Sequence, residues 1–281
     1  MWVTSIMLSK KGSSDTRLWD AQRGIIHSSN GGWLAGKGVF CHGYDMLEDL
    51  VGKASYFQVL MLNVLGYLPE RRLADWLEAT YICMSWPDPR IWCNHIGALG
   101  GSARTSAVAA SVAGALAADS SMYGGRTFLA GVDFIQSACT ERDAGASVED
   151  IVANELKRHR GKVNIMGFAR PLASGDERIA ALEEVAARLD FQVGRHLQLA
   201  YDIEAILQRD FDESMNICGY VSAFLSDQGY KAEELYRLSV LCVSSGVMAC
   251  YIDAREKPPD AFLPLRCDDI EYRGQPAREL P

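Results

Sequence analysis

Cysteine and histidine are the side chains most able to act as nucleophile, proton carrier or metal ligand near neutral pH. The chain carries eight cysteines, at positions 41, 83, 93, 139, 218, 242, 250 and 267, and five histidines. No two cysteines stand in CxxC spacing and no cysteine–histidine group is tight, so no metal site is expected. Cys83, Cys242 and Cys250 lie in apolar helical text and read as small core hydrophobes. Arg90 and His95 follow the two-proline break of SWPDPRIW, and a lone histidine at a helix start is more often structural than reactive. GxGxxG, P-loop, HExxH and GxSxG patterns are all missing, so generic motifs assign no chemistry.

The elements that must position these residues read as helices. After Asp45, MLEDLVGKASYFQVLMLNVLGYLP places apolar residues at Leu47, Leu50, Val51, Phe57, Leu60, Met61, Val64 and Leu65. Offsets of three and four predict one helix that ends at Pro69, which also opens the next, PERRLADWLEATYICMSW. IGALGGSARTSAVAASVAGALAA is small on every side and predicts a buried helix that lets neighbouring backbones approach. DSSMYGG reads as a turn. Further helices are expected at about 126–142, 147–160, 176–190, 192–209, 215–228 and 231–254, with Ser147 and Asp150 as a capping box. Residues 1–40 are Gly- and Ser-rich and read as an irregular arm with room for short strands, and 257–281 as a Pro-rich extended tail. With few alternating patterns and no repeat, the fold class is all-α.

Composition bounds the function. The 281 residues include 28 Lys+Arg against 36 Asp+Glu, a net charge of −8. That balance argues against a general nucleic-acid or anionic-membrane binder, because phosphate affinity needs a basic surface. Mean hydropathy is −0.04 and no apolar run reaches the ~18 residues of a membrane span. The first residues, MWVTSIMLSKKGSSD, lack the order of a signal peptide, which together with reduced thiols sets the expectation of a cytoplasmic protein.

Four segments, in order, resemble the citrate synthase superfamily. HGYDMLEDL from His42, followed by SYFQVLMLNVLGYLP, is similar to the family's RGY-x-[IL]-x-[ED]-L…SF…LLL-G-ELP. Ala-rich text ending in MYGGR from Met122 is similar to its LHGGA turn. GKVNIMGFARP from Gly161, with Asp176-Glu-Arg178 after it, is similar to K-x-x-G-[FI]-G-H-R-V followed by DPR. MNICGY from Met215 is similar to N-V-D-[FG]. The ending AFLPLRCDDIEYRG resembles the short citryl-CoA lyase module, where a W-D-D-I-x-Y run is typical.

The resemblance implies an almost all-helical large domain (41–160 and 229–281), a smaller helical domain (161–228) and an N-terminal arm (1–40). It implies a homodimer with its site in the cleft. It also implies CoA-thioester chemistry, the making or breaking of a bond between a thioester α-carbon and a keto-acid carbonyl. No tightly bound cofactor is implied, the CoA thioester being substrate.

That chemistry needs a carboxylate base, a donor at the thioester oxygen and a second donor or acid at the keto carbonyl. The family's two histidines and one aspartate fall here on Tyr123, Arg170 and Cys218, all changed. Tyr123 is a hydroxyl donor or a packing ring; Arg170, beside Pro171, is a carboxylate or enolate partner or half of an ion pair. Cys218 is a nucleophile only if a cation lowers its pKa, and otherwise a buried inert thiol. His95 or Asp176 would have to stand in as base. Arg178 matches the family's carboxylate-binding arginine, with Arg90 and Asn216 as further substrate contacts. The family's other two arginines fall near Val243 and Leu263. Lys162, Ile165, Met166, Gly167 and Phe168 match the loop that holds CoA mostly through backbone. Tyr123, Arg170, Arg178 and Cys218 are therefore expected to converge on one cleft.

Two functions follow. The preferred one is a divergent enzyme acting on a CoA or related acyl thioester, C–C bond formation or cleavage included, because Arg178 and a cleft arginine remain. The other is a non-catalytic member that binds CoA or carboxylates, or pairs with an active paralogue.

Overall fold

The computed structural model describes residues 15–168 and 175–280. Two compact units divide the chain, residues 1–54 and 55–281.

In the first unit, α1 (Arg17–Gln22) precedes a small antiparallel sheet, β1 (Gly31–Leu34), β2 (Gly38–Cys41) and β3 (Tyr44–Asp45), ordered β1-β2-β3. Gly31 pairs with Cys41 and Leu34 with Gly38, so the arm carries a hairpin as well as irregular chain. His42 (φ 48°) and Gly43 (φ 87°) make the two-residue turn into β3, and successive left-handed residues match the twist of a tight hairpin. Asp45 then caps a π-turn at Met46–Leu50, its carboxylate accepting from the Leu47 and Glu48 amides.

The second unit is mostly helical among its described residues up to Glu256, and residues 257–280 follow as largely non-helical chain. Its elements are α2 (Tyr56–Leu65), α3 (Arg71–Met84), α4 (Trp92–Ser102), α5 (Ala107–Ala118), α6 (Gly125–Asp143), α7 (Val148–Arg158), α8 (Glu177–Arg188), α9 (Arg195–Phe211), α10 (Ile217–Asp227), α11 (Ala232–Ser239) and α12 (Ser244–Glu256). α10 is the central column, with every residue from Ile217 to Ser226 buried. Phe224 stacks on Trp76 of α3 at 3.8 Å between ring centroids, and Phe191 meets its edge at 5.1 Å. A helix apolar on all sides belongs inside a larger assembly of helices, and α10 occupies that place.

α4, α5 and α12 pack through glycine. A Cβ on Gly97 would stand 2.7 Å from the Val247 carbonyl, one on Gly101 2.3 Å from that of Tyr251, and one on Gly114 2.5 Å from Val247 Cγ1. Any larger residue would force these backbones apart.

The boundaries differ from the sequence expectation in three places. The helix expected to run on from Asp45 breaks at 51–55, where Gly52 is left-handed (φ 75°) and Ser55 starts α2 through a capping box with Gln58. The small-residue helix is two helices, because Arg104 adopts φ 61° and Ser106 caps α5. It is also only half buried: Ala110, Gly114 and Ala118 face inward, while Val108, Val112 and Leu116 are 73%, 53% and 70% exposed. The helix expected over 231–254 is interrupted at 240–243. Cys242 and Ser244 there donate to carbonyls three residues back, a tighter turn that carries Cys242 and Val243 into a cluster with Cys93, Ala118 and Val247. The Ser147–Asp150 capping box forms as expected.

Candidate functional site

Asp176 is the N-cap of α8 and its side chain is wholly buried. Its Oδ1 accepts from the Arg178 backbone N–H at 3.2 Å and from Nε at 2.7 Å. Its Oδ2 accepts from Arg178 Nη2 at 2.6 Å and from the Ile217 N–H at 2.9 Å. One carboxylate thus serves the N-termini of both α8 and α10. Burial alone would raise the Asp176 pKa, but the Arg178 hydrogen bond and charge and the Ile217 amide outweigh it and hold the group below its ordinary value. A carboxylate so stabilised is a weak proton acceptor.

Arg178 offers Asp176 the Nε–Nη2 edge of its guanidinium, leaving the other edge, through Nη1, 3.9 Å from Met84 Sδ. The guanidinium lies 5.4 Å over the Trp86 ring, and the side chain is 19% exposed. Asn216 caps α10, Oδ1 accepting from the Cys218 amide at 2.9 Å and the Gly219 amide at 3.4 Å.

The loop ahead of α8 docks on the same end of α10. Gly167 accepts from the Asn216 N–H at 2.9 Å, and Phe168 forms an antiparallel bridge with Met215. A Cβ on Gly219 would stand 2.3 Å from the Gly167 oxygen, and Gly167 itself has φ 94°. Both positions therefore require glycine. Ile165 and Phe168 are core residues, Met166 is half-buried and Lys162 is exposed. Arg170 lies outside the described residues.

Tyr123 precedes Gly124, whose φ of 80° turns the chain into α6. A Cβ at Gly124 would lie 1.9 Å from the Ala118 oxygen, so the turn that presents Tyr123 depends on that glycine. The phenol oxygen is 3.7 Å from Cys93 Sγ, and the ring tilts against Trp92 at 6.0 Å. Burial above all, then the neighbouring thiols, pushes the Tyr123 pKa far up, opposed by the Arg178 charge. The group is a neutral hydroxyl within electrostatic reach of Arg178.

Cys218 points away from these groups, into α6. Its Sγ donates to the Thr127 carbonyl at 3.5 Å, and burial pushes the thiol up to about 11. It is a protonated core thiol at neutral pH. The structure thus joins Arg178, Asn216 and Gly167 at one junction through Asp176 and the first turn of α10. Tyr123 couples to it through charge, and the Cys218 side chain stands apart.

A second group lies at the start of α4. Asn94, buried, donates from Nδ2 to the Trp86 oxygen at 2.5 Å and the Asp88 oxygen at 3.1 Å, fixing the two-proline loop. Arg90 forks onto Asp88 through Nε at 3.1 Å and Nη2 at 2.6 Å. His95 Nδ1 is 3.0 Å from the Pro89 oxygen, and its ring meets the Phe262 edge at 5.1 Å. Pro89, Arg90, Trp92, His95, Ile96, Phe262 and Leu263 line an open trough of about 580 Å³. Val243 lies buried in the Cys93–Cys242 cluster. No group of His, Cys, Asp and Glu among the described residues is arranged to hold a metal ion.

Sequence reasoning named Asp176 only as a stand-in base and missed Trp86 and Asn94. Asp two residues before Arg at a helix start was the available signal for the first; nothing local marks the others.

No protein-family model and no curated protein matches the chain. Solved structures do. The citryl-CoA lyase of Hydrogenobacter thermophilus is similar at 26% identity and TM-score 0.75, over 92% of this chain and 98% of that one. The ATP citrate lyase of Methanothrix soehngenii, solved with citrate and coenzyme A, is similar at 17% identity and TM-score 0.74, over 99% of this chain and 47% of that one. Citrate synthase of Thermoplasma acidophilum follows at 15% identity and TM-score 0.60, over 81% of this chain and 59% of that one.

Proposed function

We propose that the chain, a member of the citrate synthase superfamily on the side of its short citryl-CoA lyase-like members, acts on a CoA or related acyl thioester, making or breaking a C–C bond with an altered catalytic set. The observation that carries this reading is Tyr123: a partly buried phenol, a neutral hydroxyl donor, presented on a glycine-dependent turn and within reach of the Arg178 charge. Such a hydroxyl donates to a thioester oxygen as that oxygen gains enolate charge. The Nη1 edge of Arg178, which otherwise contacts Met84 Sδ, then turns to a carboxylate of the keto-acid partner. Thioester binding falls to the 162–168 loop, where Ile165 and Phe168 anchor the chain in the core and leave main-chain groups for the ligand.

The assembly we propose is a homodimer. Val108, Val112 and Leu116 recur every four residues on α5 and form an exposed apolar stripe on a helix otherwise built of Ala, Gly and Ser. A second copy covers it most simply.

Calorimetric titration with CoA, acetyl-CoA and short keto and dicarboxylic acids tests the reading. CoA or acetyl-CoA binds, and Tyr123→Phe lowers the rate of C–C chemistry by ~10²-fold while leaving CoA affinity unchanged. Turnover of acetyl-CoA with oxaloacetate, or of citryl-CoA, is absent or very low, because three catalytic positions differ. A protein that binds no CoA compound would end the proposal.

A second reading has its own support. Asp176 occupies one edge of Arg178 and neutralises it, as suits a member that binds ligands without turning them over. Binding of CoA with no exchange or C–C chemistry for any acyl thioester would favour it.

A further inference from the structure

We propose that His95 is the base of the reaction and that the trough it faces receives an apolar acyl chain, so that the substrates are acyl thioesters longer than acetyl. This rests on the thioester reading above and adds to it the proton acceptor and the substrate class.

The Pro89 carbonyl can only accept, so the 3.0 Å contact places the proton of a neutral His95 on Nδ1. Nε2 is left with its lone pair, and no protein partner for it occurs among the described contacts. The carbonyl that sets the tautomer is itself fixed, because Asn94 ties the loop on either side of Pro87 to α4. The Phe262 edge fixes the ring plane. An imidazole with one nitrogen pinned to a carbonyl and the other open is the arrangement a general base needs. Asp176, the other group that could serve, already has both oxygens occupied and its basicity lowered.

His95 is one of the residues that line the trough, and most of its other walls are apolar. Trp92, Ile96, Phe262 and Leu263 supply them, and Arg90, neutralised by Asp88, stands among the lining residues. About 580 Å³ lies within the usual range for a small-molecule site and far exceeds what an acetyl group fills. Trp92 also contacts the Tyr123 ring, so one indole both lines the trough and packs on the phenol assigned above to the thioester oxygen.

The step balances within the protein. The His95 Nε2 lone pair takes the α-proton of the acyl group. The C–H electrons become the enolate, whose oxygen accepts a hydrogen bond from Tyr123. The carbanion carbon then attacks the keto-acid carbonyl, whose oxygen takes up the π electrons and the imidazolium proton, or in water the carbon is reprotonated by the same imidazolium.

Reprotonation gives the test. The full chain is incubated in D2O with acetyl-, butyryl-, hexanoyl- and octanoyl-CoA, and deuterium at the α-carbon is read by mass spectrometry beside affinity by calorimetry. Affinity should rise about two- to fourfold per methylene up to hexanoyl, as expected for burying CH2 groups, and Trp92→Ala should flatten that rise. His95→Ala should lose at least ~10²-fold in exchange rate with acyl-CoA affinity within threefold, and added imidazole should restore part of it. His95→Gln, which keeps a polar group of similar size, controls for folding and should be equally slow in exchange. Unchanged exchange in both His95 variants, or equal affinity for acetyl- and hexanoyl-CoA, overturns this proposal and leaves the thioester reading standing. Failure of every acyl-CoA to bind overturns both.

Discussion

Cys218 and Arg178 occupy positions that the family resemblance marks for chemistry, and their surroundings divide them. Cys218 is packed against Thr127 and Ser222, and burial pushes its thiol up to about 11, so it stays protonated at neutral pH. Iodoacetamide at pH 8 on the folded protein should label exposed Cys267 and spare Cys218; prompt carboxamidomethylation of Cys218 would show that its pocket opens. Arg178 is held as one half of a buried pair. Arg178→Ala leaves the Asp176 carboxylate buried without its guanidinium, at a cost of about 3 kcal/mol. The sign with pH follows from the lowered pKa of Asp176. The pair's stabilisation is present above the unfolded carboxylate value near ~4 and is lost as pH falls through the lower folded value. Wild type should therefore lose stability below about pH 4 more steeply than Arg178→Ala, measured as urea midpoints across pH 2.5–7; parallel curves would contradict the pairing.

At the scale of elements, periodicity in the sequence exposed nearly every helix, because a buried stripe must recur every three to four residues. The interruptions differ in legibility: Gly52 and the Ser55–Gln58 capping box mark the first locally, whereas Arg104 in a left-handed conformation and the tightened 240–243 segment are set by what the chain packs against. The site was legible to a similar depth. Motif order found Arg178, Asn216 and Gly167, but the carboxylate joining two helix starts, and the Asn94 ties that fix the two-proline loop, exist only once distant segments meet. Two substitutions test the helix contacts. Gly219→Ala places a methyl against the Gly167 oxygen and should cost about 2 kcal/mol or more, read as a fall in Tm with CoA affinity reduced alongside. Val112→Asp on the exposed face of α5 should convert the proposed dimer to monomer in sedimentation without lowering helicity; a wild-type chain that sediments as monomer would remove the basis for that assembly.

The whole molecule is acidic, with a net charge of −8, yet its proposed ligands are anions. Local pairing reconciles the two, since Arg90 and Arg178 each sit in a neutral pair and neither builds a broad positive field. Binding should therefore depend on contact geometry more than on long-range attraction, and affinity for an acyl-CoA should change little between 50 and 200 mM salt. The Asp176 carboxylate gives the molecule one more property. Because the same side chain grips Arg178 and the Ile217 amide, any ligand that draws on the guanidinium redistributes charge along the hydrogen bond to that amide. The Ile217 amide proton is thus a built-in gauge: its NMR resonance should move upon carboxylate binding at Arg178, though Ile217 itself is sealed from the ligand.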